Sequence, residues 1–320
     1  MRVRKLIAGL LLCLSPVCYG DTWDMPMAYS ATNFHSEHGE MFAEKVSKYS
    51  EKYAITVHPG GSLFGGADIK RAVQTGQAPI GERLMSAHVN ENPILNWDNL
   101  PFLATTYDDS KKLWQAAKKI VSEQLKDDNL IVLYTCPWPG QGLYFNKEVK
   151  TSADIAGLKL RSYNSATAKI IESLGAIPVQ IEAAELTQAL ATGVADGFIS
   201  SGSTGYDRKV WEHLTHYYKV NAWFPRNYVV VNKEVWNSVH DRNKSHIRRA
   251  AEETERSCTA KSEELANWYF EQLQANGMTV VDAGPELMAE LESIGAEMQS
   301  AWIEQAGEQG QAIIDAYKNK

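Results

Sequence analysis

Cysteine is scarce in this chain: 4 in 320 residues. Two of them, Cys13 and Cys18, fall in a leader-like start, which leaves Cys136 and Cys258. That count excludes a disulfide-stapled scaffold. The two can pair in an oxidising compartment, although nothing in their spacing requires it. Positive charge is short as well, with 32 Lys+Arg against 39 Asp+Glu and a net charge of −7. Nucleic acid and anionic membrane surfaces both ask for clustered positive charge, so neither is expected as a partner. Long apolar runs are missing: the leading run, 6–14, has nine residues, where a bilayer needs about 20. Catalytic signatures are missing too. There is no Gly-x-Ser-x-Gly elbow, no P-loop and no His-Glu-x-x-His. Gly60-Gly61 and Gly65-Gly66 flank Ser62 and Phe64 at a spacing that fits no dinucleotide or phosphate fingerprint, and Ser200-Ser201-Gly202-Ser203 has no histidine placed beside it.

What is present begins with a targeting segment. Arg2, Arg4 and Lys5 precede the apolar run and small residues close it, which predicts a secretory signal peptide over residues 1–20, cut after Gly20. A lipid anchor on Cys18 is the alternative, poorly served by Pro16 and Val17. Without those three basic residues the exported chain carries 29 Lys+Arg against 39 acids, a net −10. At about 300 residues it can bury a substantial core and divide into two domains.

Strand and helix patterns alternate along it. Residues 22–30 read as a strand, and 36–49 as an amphipathic helix with Phe42, Val46 and Tyr49 on one face and Ser36 as its cap. Strands follow at 54–58, 79–84 and 130–136, with a helix at 110–126. One internal echo stands out: Ala72-Val-Gln-Thr-Gly-Gln-Ala and Ala189-Leu-Ala-Thr-Gly-Val-Ala each lead toward a new strand. Two α/β lobes of similar construction with a cleft between them would produce it. Residues 241–276 hold a helical pattern long enough to brace both lobes and stop at Gly277, and 286–317 supply one or two more helices.

Arg161 ends an apolar strand-like run at 158–161. Ligands of open α/β sheets sit at the carboxyl ends of strands, so this position aims a guanidinium at a crevice, and Arg grips a carboxylate in a bidentate way that Lys does not. Aromatics gather near strand ends and turns: Trp138 between two prolines, Tyr163, Tyr206, Trp223 and Phe224. Most of these belong to packing, and Trp138 is the one placed to form a cleft wall. His35 and His38 share a spacing suited to two metal ligands. No third ligand is evident, and an exposed helix start accounts for them as well, so no metal or other cofactor is expected.

From these residues outward the chain resembles the extracytoplasmic solute receptors of tripartite ATP-independent periplasmic (TRAP) transporters, the DctP-type family. The likeness covers essentially the whole exported chain. Its markers are Met41-Phe42-Ala43-Glu44-Lys45-Val46, Val57-His58-Pro59-Gly60-Gly61-Ser62-Leu63-Phe64-Gly65, Asn99-Leu100-Pro101-Phe102-Leu103, Asp154-Ile155-Ala156-Gly157-Leu158-Lys159-Leu160-Arg161 and Thr192-Gly193-Val194-Ala195-Asp196-Gly197. The resemblance implies a periplasmic receptor, not an enzyme. Its fold would be an α/β two-lobe clamshell with a long helix spanning both lobes, closing over one small ligand and delivering it to the TRAP permease subunits. By position, lobe I is expected over 21–138 plus about 227–270, and lobe II over 139–226 plus about 271–320.

The resemblance also implies that Arg161 pairs with a substrate carboxylate. Tyr163, Asn164, Trp138, Ser200, Gln141, Asn33 and Phe224 are expected to shape the rest of the site, and Glu82 and Arg83 to face it from the first lobe. Ser200 stands where the family often has Asn, Gln141 where some members have a second basic residue, and Ala183 where some have an aromatic wall. Those departures speak against a dicarboxylate and for a monocarboxylate. A small amine held by Glu82 and aromatic faces is the alternative ligand; an exported metal-binding protein or enzyme is the alternative class.

Overall fold

The structure, a computed structural model, describes residues 21–50 and 52–320. The signal peptide expected over 1–20 lies outside the described residues. In chain order the elements are β1 (Asp21–Pro26), α1 (Phe34–Tyr49), β2 (Tyr53–His58), α2 (Ile69–Gln74), β3 (Ile80–Leu84), α3 (Tyr107–Asp127) and β4 (Leu130–Pro137). Next come β5 (Gly142–Phe145), β6 (Lys159–Ser162), α4 (Ser165–Ser173), β7 (Ile177–Gln180), α5 (Leu186–Ala191), β8 (Gly197–Ser200), α6 (Gly202–Asp207) and β9 (His216–Lys219). The chain ends with β10 (Arg226–Asn232), α7 (Lys233–Ser238), α8 (Asp241–Ala275), β11 (Thr279–Asp282) and α9 (Pro285–Lys318).

Two sheets make the two lobes. In the first, β10 pairs antiparallel with β3 on one side and β4 on the other, and a bridge from Met27 to Glu82 joins the parallel pair β1–β2 to it. The run Tyr228-Val229-Val230-Val231 is fully apolar because this strand is central and covered on both faces. Alternate side chains go opposite ways: Tyr228 and Val230 join Trp97, Leu113 and Trp114, whereas Val229 and Val231 join Met25, Phe42 and Ile80. The second sheet has six strands in the order β11-β9-β5-β8-β6-β7. Its faces pack Leu160, Ile170 and Ile199 on one side and Tyr144, Phe198 and Tyr217 on the other.

The internal echo is a repeated piece of structure. Each copy is a 3-10 turn, a six-residue helix (α2 or α5), a Thr-Gly cap and a strand. Thr75 Oγ1 donates to the Arg71 carbonyl and Thr192 Oγ1 to the Gln188 carbonyl, both at 2.8 Å. Gly76 and Gly193 take φ of 76° and 70°, where a Cβ is costly. Backbone N–H groups of Ala78 and Ala195 then return to the carbonyls of Ala72 and Ala189. Arg83 and Ser200 each stand five residues past those alanines, so the two copies deliver equivalent strand ends to the cleft.

Helix α8 has 35 residues, a length of about 52 Å at 1.5 Å per residue. Its buried stripe runs through Ile247, Ala250, Ala251, Thr254, Cys258 and Ser262 to Tyr269 and Leu273. The first half covers α1 and β4, and the second half meets α6 and β11. Midway, Cys258 forms a disulfide with Cys136 at the end of β4, so the pairing that the spacing left undecided is made. Other details also differ from expectation. Strand β1 stops at Pro26, and the cap of α1 is Asn33, whose Oδ1 accepts from His35 N at 2.9 Å. Ser36 instead donates to the Tyr29 carbonyl at 3.0 Å.

The tail departs from the expected lobe division. Helix α9 starts in the second lobe, where Leu287 and Leu291 pack with Leu160 and Ile170, and ends in the first, where Trp302, Ile313 and Ile314 pack with Leu113 and Trp114. The end of the chain therefore completes lobe I, because its apolar residues cover one face of α3. Gly307 (φ 59°, ψ −144°) bends the helix in a conformation essentially reserved for glycine.

Candidate functional site

A cavity lies between the lobes, with about 420 Å³ of space including the solvent at its mouth. Tyr29, Arg83, Leu84 and Trp138 line it from the first lobe, and Gln141, Arg161, Tyr163, Glu182, Ser200, Ser201 and Thr204 from the second. Strand β6 carries Arg161 to the carboxyl end of its sheet, where Leu160 points into the core and Arg161 stops at the cleft. The Arg161 side chain is held by one hydrogen bond, from Nε to the Ile181 carbonyl at 2.8 Å, and its guanidinium carbon lies 5.3 Å from the Tyr163 ring centroid. Among the described residues no acceptor meets its two terminal nitrogens and no carboxylate lies within 4.0 Å. Burial pushes its pKa down to about 10, so it remains a cation at neutral pH.

Arg83, at the end of β3, has a different situation. Its guanidinium meets Glu182 across the cleft, Nη2 to Oε1 at 2.7 Å and Nη1 to Oε2 at 3.1 Å. The cavity thus holds two cations and one anion, and one charge is uncompensated. Polar groups complete the wall. Ser200 Oγ donates to Thr204 Oγ1 at 2.8 Å, and Ser201 Oγ is buried without a partner. Tyr163 Oη accepts from Trp223 Nε1 at 3.0 Å and donates toward Asn99 and Gln141. Trp138 is fixed by Nε1 to Asn227 Oδ1 at 2.8 Å, and its ring meets Tyr29 at a 4.7 Å centroid distance. None of the residues lining the cavity is a histidine or a cysteine.

The sequence profile of the bacterial extracellular solute-binding protein family 7 (DctP) matches residues 27–308. The chain belongs to that family. It is a TRAP solute-binding receptor, and the family consists of binding proteins rather than enzymes. A marine metagenome TRAP solute-binding protein from an unidentified microbe, specific for pyroglutamate and crystallised with co-purified pyroglutamate, is 67% identical, with a TM-score of 0.93 over 94% of this chain and 100% of that one. DctP6 of Bordetella pertussis, a receptor binding pyroglutamic acid, is 42% identical with a TM-score of 0.92 over 94% of this chain and 100% of that one. The ectoine-binding periplasmic protein TeaA of Halomonas elongata is 22% identical over 98% of this chain and 93% of its own length. Among the described residues no helix of the receptor is long and apolar enough to cross a membrane.

Of the ten residues expected at the receptor's site, Arg161, Tyr163, Ser200, Trp138, Gln141 and Arg83 line the cavity. Four stand elsewhere. Glu82 is turned to the other face of β3, where Oε1 accepts from Asn227 Nδ2 at 2.9 Å and lies 3.1 Å from His35 Nδ1. Asn164 caps α4 and reaches across the cleft to Ser86 Oγ at 3.0 Å. Asn33 crosses from α1 to Asp207 at 2.6 Å, and burial raises that carboxyl's pKa to about 6. Phe224 packs on Tyr107. Asn164 and Asn33 link the lobes beside the cavity.

Sequence reasoning passed over Tyr29, Glu182, Ser201 and Thr204. Ser201 sat in a turn noted only for lacking a histidine. His35 and His38 also have structural partners: the first stacks on Trp138 and Phe34, and the second meets the Phe34 carbonyl through Nδ1 at 2.7 Å. His35 also neighbours Cys136 and Cys258, but those sulfurs are bonded to each other and offer no thiolate.

Proposed function

We propose that this receptor captures pyroglutamate, or another compact monocarboxylate, in the periplasm and passes it to the TRAP permease. One observation carries the reading. Arg161 is a buried guanidinium whose terminal nitrogens have no acceptor among the described residues, in a cavity whose other two charges cancel. A carboxylate accepting two parallel N–H bonds there would satisfy both the donors and the charge. The hydroxyls of Ser200, Ser201 and Thr204 suit the N–H and C=O of a lactam, and Trp138 offers an apolar face to its ring. A ligand so held touches both lobes, as it must if binding is to favour the closed arrangement. The pyroglutamate receptors at 67% and 42% identity support the same ligand, and delivery to the permease rests on family membership.

The amine alternative loses its anchor, because Glu82 is committed to Asn227 and His35. Calorimetric titration of unfolded, ligand-stripped and refolded protein with pyroglutamate tests the proposal. One-site binding is expected, weakened in Arg161→Ala by about 2–5 kcal/mol, the usual cost of truncating one partner of a buried charge pair. That corresponds to roughly 30- to 5,000-fold in Kd. Unaltered affinity in Arg161→Ala would remove Arg161 from the site, and no heat with pyroglutamate in the parent protein would remove the ligand.

A further inference from the structure

Arg83 and Arg161 open onto the same cavity, one from each lobe. Two guanidiniums facing one small space would ordinarily select a dianion. Here the protein supplies one of the two carboxylates itself. Glu182, directly after β7 and Ile181, forms a two-pronged pair with Arg83 at 2.7 and 3.1 Å. The backbone opposite is shaped for that pair. A Cβ on Gly66 would stand 2.8 Å from Arg83 Nη1 and 3.1 Å from Glu182 Oε2, so the glycine leaves room for the two side chains to meet. Gly66 and Glu182 also stand at the starts of the two copies of the repeated strand–helix unit, which brings these segments face to face at the mouth of the cavity.

We propose that Glu182 determines specificity: its carboxylate occupies Arg83, leaves the cavity a single free cationic site, and so restricts the receptor to monoanions. The inference rests on the monocarboxylate reading and adds the element that excludes dicarboxylates. Rejection works by repulsion between carboxylates. A second ligand carboxylate would have to displace Glu182 from Arg83, and both acids would then crowd one guanidinium. Glu182 also closes the cleft, since its pair with Arg83 is one of the direct links between lobes, so it acts on both affinity and selectivity.

The test is titration of pyroglutamate and glutarate, a dicarboxylate with the same carbon chain, into the parent protein, Glu182→Gln and the double variant Arg83→Gln/Glu182→Gln. The parent is expected to bind pyroglutamate and not glutarate. In Glu182→Gln the unmasked Arg83 should bring glutarate into the measurable range and shift the glutarate-to-pyroglutamate ratio by about tenfold or more, the scale of a specific charge pair. In the double variant the site again has one net positive charge, and selectivity for the monoanion should return. A ratio in Glu182→Gln equal to the parent's overturns the proposal. Equal glutarate binding in the single and double variants also overturns it, because the gain would then come from shape and not from Arg83. Failure of the parent to bind pyroglutamate is a separate result, and it strikes the ligand reading instead.

Discussion

The Cys136–Cys258 bond links the last strand before the second lobe to the middle of the bracing helix, at a sequence separation of 122. That interval contains every element of lobe II from β5 to β9 together with β10 and α7. Closing a loop of this length removes a large amount of freedom from the unfolded chain. The chain-entropy relation gives about 5 kcal/mol at 25 °C, against a usual range of about 2–4 for native bridges. Both sulfurs are buried, so a reductant reaches them only after the structure opens, and substitution is the cleaner perturbation. The double variant Cys136→Ala/Cys258→Ala is expected to lose about 2–5 kcal/mol, which for a chain of this size lowers Tm by roughly 3–8 °C. Scanning calorimetry at matched ligand saturation measures it, since bound ligand would mask part of the loss. A Tm within about 1 °C of the parent, well below that range, would refute the reasoning. It would mean that α8 and β4 hold the lobes in register without the bond.

Gly66→Ala places a methyl group against the Arg83–Glu182 pair. It is expected to weaken ligand binding by about 1–3 kcal/mol, the usual cost of overpacking, while the ligand-free protein melts as before. Unchanged affinity would count against the pair as a closure contact. Asp98 has its pKa raised to about 7 by burial, although its carboxylate accepts the Arg226 N–H at 2.7 Å. The native state then holds a proton that the unfolded state, near 3.8, releases, so this residue's contribution to stability is present below about pH 4 and lost as pH rises through 7. Asp98→Asn should flatten that fall, on the order of 3 kcal/mol, in denaturant melts at pH 5 and 7.5. An equal fall in both proteins argues that Asp98 does not titrate there.

The parts of the fold set by local chemistry were legible. The 35-residue helix shows as one continuous pattern ending at Gly277. The two Ala…Thr-Gly…Ala segments mark a repeat because a Thr-Gly cap has few residue choices. Arg161 was visible because it interrupts an apolar strand at its end. Glu182 was not. It sits among Glu182-Ala-Ala-Glu185, and nothing local separates the acid that finds Arg83, 99 residues away, from its neighbour. That choice is made by how the lobes meet. Glu82 and Arg83 posed the same difficulty on one strand, where alternation sends adjacent residues to opposite faces but sequence does not say which face is the cleft. The tail misled for a related reason: α9 is apolar at both ends, and only packing shows that the two ends serve different lobes.

That tail has a consequence for the order in which the molecule can be made. Trp302, Ile313 and Ile314 fill the face of α3, so the first lobe, although begun near residue 21, lacks part of its own core until almost the whole chain has been synthesised. A nascent chain in that condition has no finished lobe to lock into. Domains that are contiguous in sequence can fold as they emerge; this one must wait. A secretory chain that has to pass a membrane before folding would gain time from that delay, with the last helix acting as the closing step of both lobes at once.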